Sequence, residues 1–156
     1  MAETHELSAA ELARQIRDRK ITPVEVSQSF LERMDVLEPS LDAWVRVDRE
    51  TVLSDAQQRQ AELESGAATG PLHGVPIGIK DIYHISGIPT TAGSKVYADY
   101  VPDETAVTID LLRKAGAIML GKTVTTEFAC LDPSHAKNPW NPAHTPGGSS
   151  SGSAVS

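Results

Sequence analysis

The chain has 156 residues, 40% hydrophobic and 22% charged, which is enough for one ordinary soluble domain with a buried core and too apolar for a disordered one. A formal net charge of -7 argues against direct nucleic-acid binding, which needs a basic face. The single cysteine, Cys130, excludes an internal disulfide and fits a reducing cytoplasm, the N-terminus lacks the basic and apolar regions of a signal peptide, and no apolar stretch is long enough to span a membrane.

The first third of the chain predicts helices with clear start signals. Ser8-Ala9-Ala10-Glu11 is a capping box flanked by Leu7 and Leu12 as a hydrophobic staple. Thr22-Pro23-Val24-Glu25 repeats the device, with proline at the favoured first helical position and Ile21 and Val26 as the staple. This second helix places Val26, Phe30, Met34 and Leu37 on one side, and Pro39 is expected to end it. A third helix is expected from roughly Glu50 to Glu64, closing at Gly66, with a loop or linker over Gly66 to Pro71.

From Val75 the texture changes. Val75 to Lys80 predicts a strand, Thr105 to Ala115 an amphipathic helix ending at Gly116, and Ala117 to Leu120 an apolar strand. Strand, helix and strand form a βαβ-like unit and point to an α/β core. Asp132 to Ser153, rich in Pro, Asn, Gly and Ser, predicts a long ordered loop of the kind kept for function, and Ser153 to Ser156 the opening of a helix. A domain that stops there is expected to be a truncated one.

Four features invite chemistry. In a strand, Ile77 and Ile79 face the core while Gly78 and Lys80 share the other face, with Gly78 leaving space beside the ammonium and Asp81 directed away from it. A lysine buried without a carboxylate partner can serve as a base; the plain alternative is a surface lysine at a strand end. Gly147-Gly148-Ser149-Ser150-Ser151-Gly152 reads by composition as a flexible linker, yet it is embedded in structured sequence. Gly148 to Gly152 also fits the G-x-S-x-G nucleophile elbow, but Pro139, Pro142 and Pro146 exclude the central strand that an elbow must follow. Gly116 to Thr123 matches the P-loop pattern G-x-x-x-x-G-K-[ST]. Its intermediate residues, Ala117-Ile118-Met119-Leu120, belong in a strand rather than in an open phosphate-cradling turn. Cys130 reads as a small buried hydrophobe rather than a nucleophile. The five histidines show no metal-ligand spacing, so no metal or cofactor is expected.

Taken together, Gly74-Val75-Pro76-Ile77-Gly78-Ile79-Lys80-Asp81, Gly87-Ile88-Pro89-Thr90-Thr91-Ala92-Gly93-Ser94, Gly121-Lys122-Thr123-Val124-Thr125-Thr126-Glu127-Phe128-Ala129, and Asn138-Pro139-Trp140-Asn141-Pro142 running into Pro146 to Gly152 closely resemble the amidase signature family. The resemblance covers essentially the whole chain and implies the N-terminal part of an α/β/α sandwich with a mixed sheet, preceded by a helical layer. It implies one incomplete domain over residues 1–156, with a helical layer at 1–65 and the start of the catalytic core at 66–156. The family hydrolyses amide C–N bonds with a Ser–cis-Ser–Lys triad. Lys80 matches its general-base lysine, Ser149 its bridging serine after a cis peptide bond, and Ala129 lies where the family lines its acyl pocket.

The family's nucleophilic serine and oxyanion hole lie in a second glycine-rich motif further along. The 156 residues alone are therefore expected not to turn over amides. The resemblance implies a small amide substrate and a cytoplasmic amidase, as a homodimer or otherwise. An alternative is the A subunit of a tRNA-dependent glutamine amidotransferase, working with the other subunits. An alternative of another class is a non-catalytic binding or scaffold fragment.

Overall fold

A computed structural model describes residues 3–67 and 69–156. Met1 and Ala2, where the N-terminal reading begins, and Ala68, inside the predicted 66–71 linker, lie outside the described residues. The element order is α1 (Ala9–Arg17), α2 (Pro23–Leu41), β1 (Trp44–Arg46), α3 (Arg49–Glu64), β2 (Pro76–Lys80), α4 (Val107–Lys114), β3 (Ile118–Thr123) and α5 (Ser151–Val155). Three short 3-10 turns occur at Thr4–Glu6, Lys95–Tyr97 and Glu127–Ala129. The chain clusters into two compact units: Met1–Val36, Asp48–Ile77 and Leu111–Leu120 form the first, and Leu37–Val47, Gly78–Asp110 and Gly121–Ser156 the second.

In the first unit the helix starts follow from side chains that satisfy otherwise orphaned backbone N–H groups. Ser8 Oγ accepts from Glu11 N at 3.2 Å, while the Glu11 carboxylate turns to Arg14 and Gln15 instead of closing the box. The Thr22–Glu25 box is complete: Glu25 N donates to Thr22 Oγ1, and Thr22 N donates back to Glu25 Oε2 at 2.8 Å. Asp48, unassigned in the sequence reading, caps α3 by accepting from Thr51 N. Leu12, Ala13, Ile16, Val26 and Val75 form the buried cluster of this unit, with both staples, through Leu7 and Ile21, packed on it.

Pro39 does not end α2, which continues to Leu41. So close to the helix end, the missing proline N–H costs little, and Asp42 N donates to Glu38 O at 3.0 Å to close the turn beyond it. The Glu38 carboxylate then accepts from Ala43 N and Trp44 N and leads the chain into β1. That strand was not expected. It is only three residues long, too short to show alternation.

The sheet order is β1-β3-β2. Within the first unit Ile118 N donates to Val75 O, and within the second Asp81 N donates to Thr123 O. The two bonds advance together along β2 and β3, which therefore run parallel, as the βαβ reading requires. β1 pairs antiparallel with β3 (Trp44 with Thr123, Arg46 with Lys122) across a register irregularity, making the sheet mixed. The P-loop match over Gly116–Thr123 is strand along Ile118–Thr123. In the second unit, burial centres on Ala43, Ile79, Ile85, Ile109, Val124 and Ala136.

Candidate active site

The three residues singled out from the sequence all lie in the second unit. Lys80 ends β2, and its half-buried ammonium donates to Ser149 Oγ at 2.6 Å, so the two residues are brought together directly. Ala129 lines the same cavity of about 300 Å³ as Ser149, together with Thr126, Cys130, Thr145 and Gly148. The Gly148–Ser149 peptide bond is cis.

The serine is held through its backbone as well as its hydroxyl. Ser149 O accepts from Thr126 N at 3.0 Å and from Thr125 Oγ1 at 3.1 Å, and Gly152 N donates to Val124 O at 2.9 Å. The run Val124-Thr125-Thr126 that leaves β3 thus grips the serine loop at both ends. Of the neighbouring serines, Ser150 is exposed, whereas Ser151 is fully buried and accepts from Ser134 Oγ at 2.7 Å. The run is a built structural element and not a flexible linker.

Three expectations about local space need correcting. Gly78 does not leave an open gap: a Cβ there would meet Thr123 Cγ2 at 2.9 Å and a Trp44 ring carbon at 3.1 Å, so the glycine permits close packing against β3 and β1. Along the strand Ile79 is buried and Ile77 only partly so. Cys130 is exposed rather than buried. Phe128 and Ala129 both take left-handed backbone angles, φ 49° and 55°, and this turn carries the following cysteine outward to the rim of the cavity.

Asp81, just past the end of β2, has partners that the sequence reading missed. It is fully buried and faces Lys122 Nζ, 2.8 Å from Oδ1, while Oδ2 accepts from Thr91 N and Thr91 Oγ1 at 3.0 and 2.6 Å. Lys122 is itself 2% exposed and donates to Tyr83 O and Thr90 Oγ1. Burial pushes the Lys122 ammonium below the usual lysine value, and the Asp81 carboxylate works in the opposite direction. In the sequence Lys122 stands in the misleading P-loop pattern and in one of the segments that resemble the amidase signature family, and neither marks it as the partner of Asp81. Glu127 is similarly occupied, accepting from the buried Ser94 hydroxyl at 2.5 Å.

Among the described residues, no group of three or more His, Cys, Asp or Glu side chains is arranged to hold a metal ion, and no helix is long and apolar enough to cross a membrane. A hydroxyl bonded to an amine, at the edge of a cavity, is an arrangement suited to moving a proton between them.

The chain is 40% identical over 154 residues to an acylamidase of Rhodococcus erythropolis, the match covering 94% of this chain and 32% of that protein. It is 43% identical over 154 residues to the A subunit of the glutamyl-tRNA(Gln) amidotransferase from Aromatoleum aromaticum, covering 95% of this chain and 31% of that one. Among solved structures, the native peptide amidase from Stenotrophomonas maltophilia superposes with a TM-score of 0.87 at 32% identity, over 96% of this chain and 33% of that chain. The chain thus spans about a third of the length of the curated relatives it matches. The family profile described as Amidase matches residues 25–156, and on that match, with relatives and α/β folds of the same kind, the chain belongs to the amidase signature family.

Proposed function

We propose that the protein carrying this chain hydrolyses a carboxamide C–N bond to acid plus ammonia or amine, with Lys80 as general base and Ser149 as the bridging hydroxyl. The observation that carries this reading is the 2.6 Å contact between Lys80 Nζ and Ser149 Oγ. Among the described residues no carboxylate lies within 4.0 Å of that ammonium, and the neighbouring acid is committed to Lys122.

In this reading the nucleophile is a serine in the part of the amidase fold that these residues do not span. Its Oγ attacks the amide carbonyl carbon while its proton passes to Ser149 Oγ, and the Ser149 proton passes to Lys80 Nζ. The relay then runs in reverse to protonate the departing nitrogen as the C–N bond breaks, leaving an acyl-serine ester. Water, deprotonated along the same path, attacks the ester and releases the acid. Ala129 lines the wall of the acyl side of the site. Ser150 and Ser151 take no part.

The match to amidotransferase A subunits favours a second reading, in which the amide is glutamine and the ammonia passes to a partner. Ammonia release by the purified full-length protein separates the two. A hydrolase releases ammonia from simple carboxamides unaided, whereas an amidotransferase component favours glutamine and requires its partner. Release in neither condition would sink both and leave a non-catalytic role.

A further inference from the structure

Asp81 follows Lys80 directly in sequence, and a carboxylate so close would favour the charged form of the lysine. The fold removes that influence. The Asp81 side chain, just past the end of β2, is fully buried, and its Oδ1 lies 2.8 Å from Lys122 Nζ. Lys122 Nζ donates to Tyr83 O at 2.8 Å and to Thr90 Oγ1 at 2.9 Å, and its contact with Asp81 Oδ1 is an ion pair. These partners are all buried side chains or backbone. Buried ion pairs stabilise little relative to apolar packing, because desolvating both charges offsets their attraction. A contribution to stability is thus a weak explanation for placing this pair here.

We propose that Lys122 is a positioning residue that neutralises Asp81, so that Lys80 keeps Ser149 as its partner and has no anion beside it. Its consequence for turnover rests on the amidase reading, but the electrostatic arrangement does not. Ser149 Oγ is the bonded partner of Lys80, Asp81 just past the end of β2 is paired with Lys122 of β3, and Glu127 accepts from Ser94. Lys122→Met removes the ammonium and keeps the chain length. Thr91 still donates twice to Oδ2 in that variant, so the Asp81 carboxyl keeps these two hydrogen bonds while the ammonium is gone.

The test is the pH dependence of Lys80 acetylation by acetic anhydride, followed by mass spectrometry on the full-length protein, which requires no turnover and so stands apart from the amidase assay. Lys122→Met should raise the pH of half-maximal Lys80 labelling by about one unit. Asp81→Asn, which breaks the same ion pair but removes the negative charge, should leave it where the parent protein has it, as should the double variant. Equal displacements in the two single variants, or none in Lys122→Met, would overturn the proposal in favour of a purely structural pair. Where Lys122→Met does not melt cooperatively, the double variant decides: a parental midpoint supports the proposal, and a displaced midpoint or failure to fold overturns it.

Discussion

Lys80 Nζ and Ser149 Oγ lie 2.6 Å apart although 69 residues separate them in sequence. Two independent supports produce the meeting: the end of β2 delivers the amine, and the Thr125–Thr126 pair after β3 fixes the Ser149 carbonyl. β2 and β3 are hydrogen-bonded neighbours, so the sheet itself brings the two supports together.

Lys80→Ala in the full-length protein should abolish amide turnover, by about a thousandfold or more, the loss typical of removing a member of a catalytic triad. Folding should survive, because the half-buried ammonium makes one side-chain hydrogen bond and no ion pair among the described residues. The check is kcat alongside a thermal melt. Activity near the parent's would remove Lys80 from the mechanism.

Ser149→Ala should lower kcat by about a hundredfold to ten-thousandfold, the range for losing a proton-transfer group. The backbone of the variant should remain in place, since both donors to the residue 149 carbonyl come from Thr125 and Thr126. A KM close to the parent's, with kcat alone reduced, identifies a relay. A mild effect on kcat would count against it.

Parts of this arrangement were legible in the sequence because they are local. The Thr22–Glu25 box and the strand read over Val75 to Lys80 depend on neighbours a few residues away; the box formed as read, and the strand runs over Pro76–Lys80. Rejecting the P-loop match also rested on local grounds, since Ile118 to Leu120 are strand formers. Lys122 remained without a role because its partner Asp81 is 41 residues distant and meets it only through strand register. The exposure of Cys130 was equally hidden. It follows from left-handed angles at Phe128 and Ala129, residues whose types carry no such signal. The serine run gained its meaning from resemblance, because composition alone cannot separate a linker from a loop pinned at both ends.

Thr125→Val tests one of those pins. Thr125 is buried, and its Oγ1 donates to Ser149 O at 3.1 Å and to Thr126 O at 3.0 Å. Valine keeps the shape and removes the hydroxyl, so stability should fall by about 1 kcal/mol. Ser149 O keeps its bond from Thr126 N, so turnover should fall only several-fold while substrate specificity is retained. Denaturant unfolding together with kcat measures both, and a loss as deep as that of Ser149→Ala would show that the hydroxyl does more than hold the loop.

Gly152→Ala tests the other pin, and here the steric argument is severe. A Cβ on Gly152 would overlap Ala43 O and Val124 N, both backbone atoms that cannot swing aside as a side-chain tip can. The same glycine donates its own N–H to Val124 O at 2.9 Å, so relieving the overlap means breaking the bond that holds the serine loop to the end of β3. Overpacking of this kind costs about 1–3 kcal/mol, and the loop should move away from β3, carrying Ser149 off Lys80. The melting temperature should therefore drop and turnover should fall together, with Lys80 labelling altered because its hydroxyl partner has gone. A variant with parental melting and parental turnover would show that α5 can shift without disturbing Ser149, and that the grip on the serine lies in Thr125 and Thr126 alone.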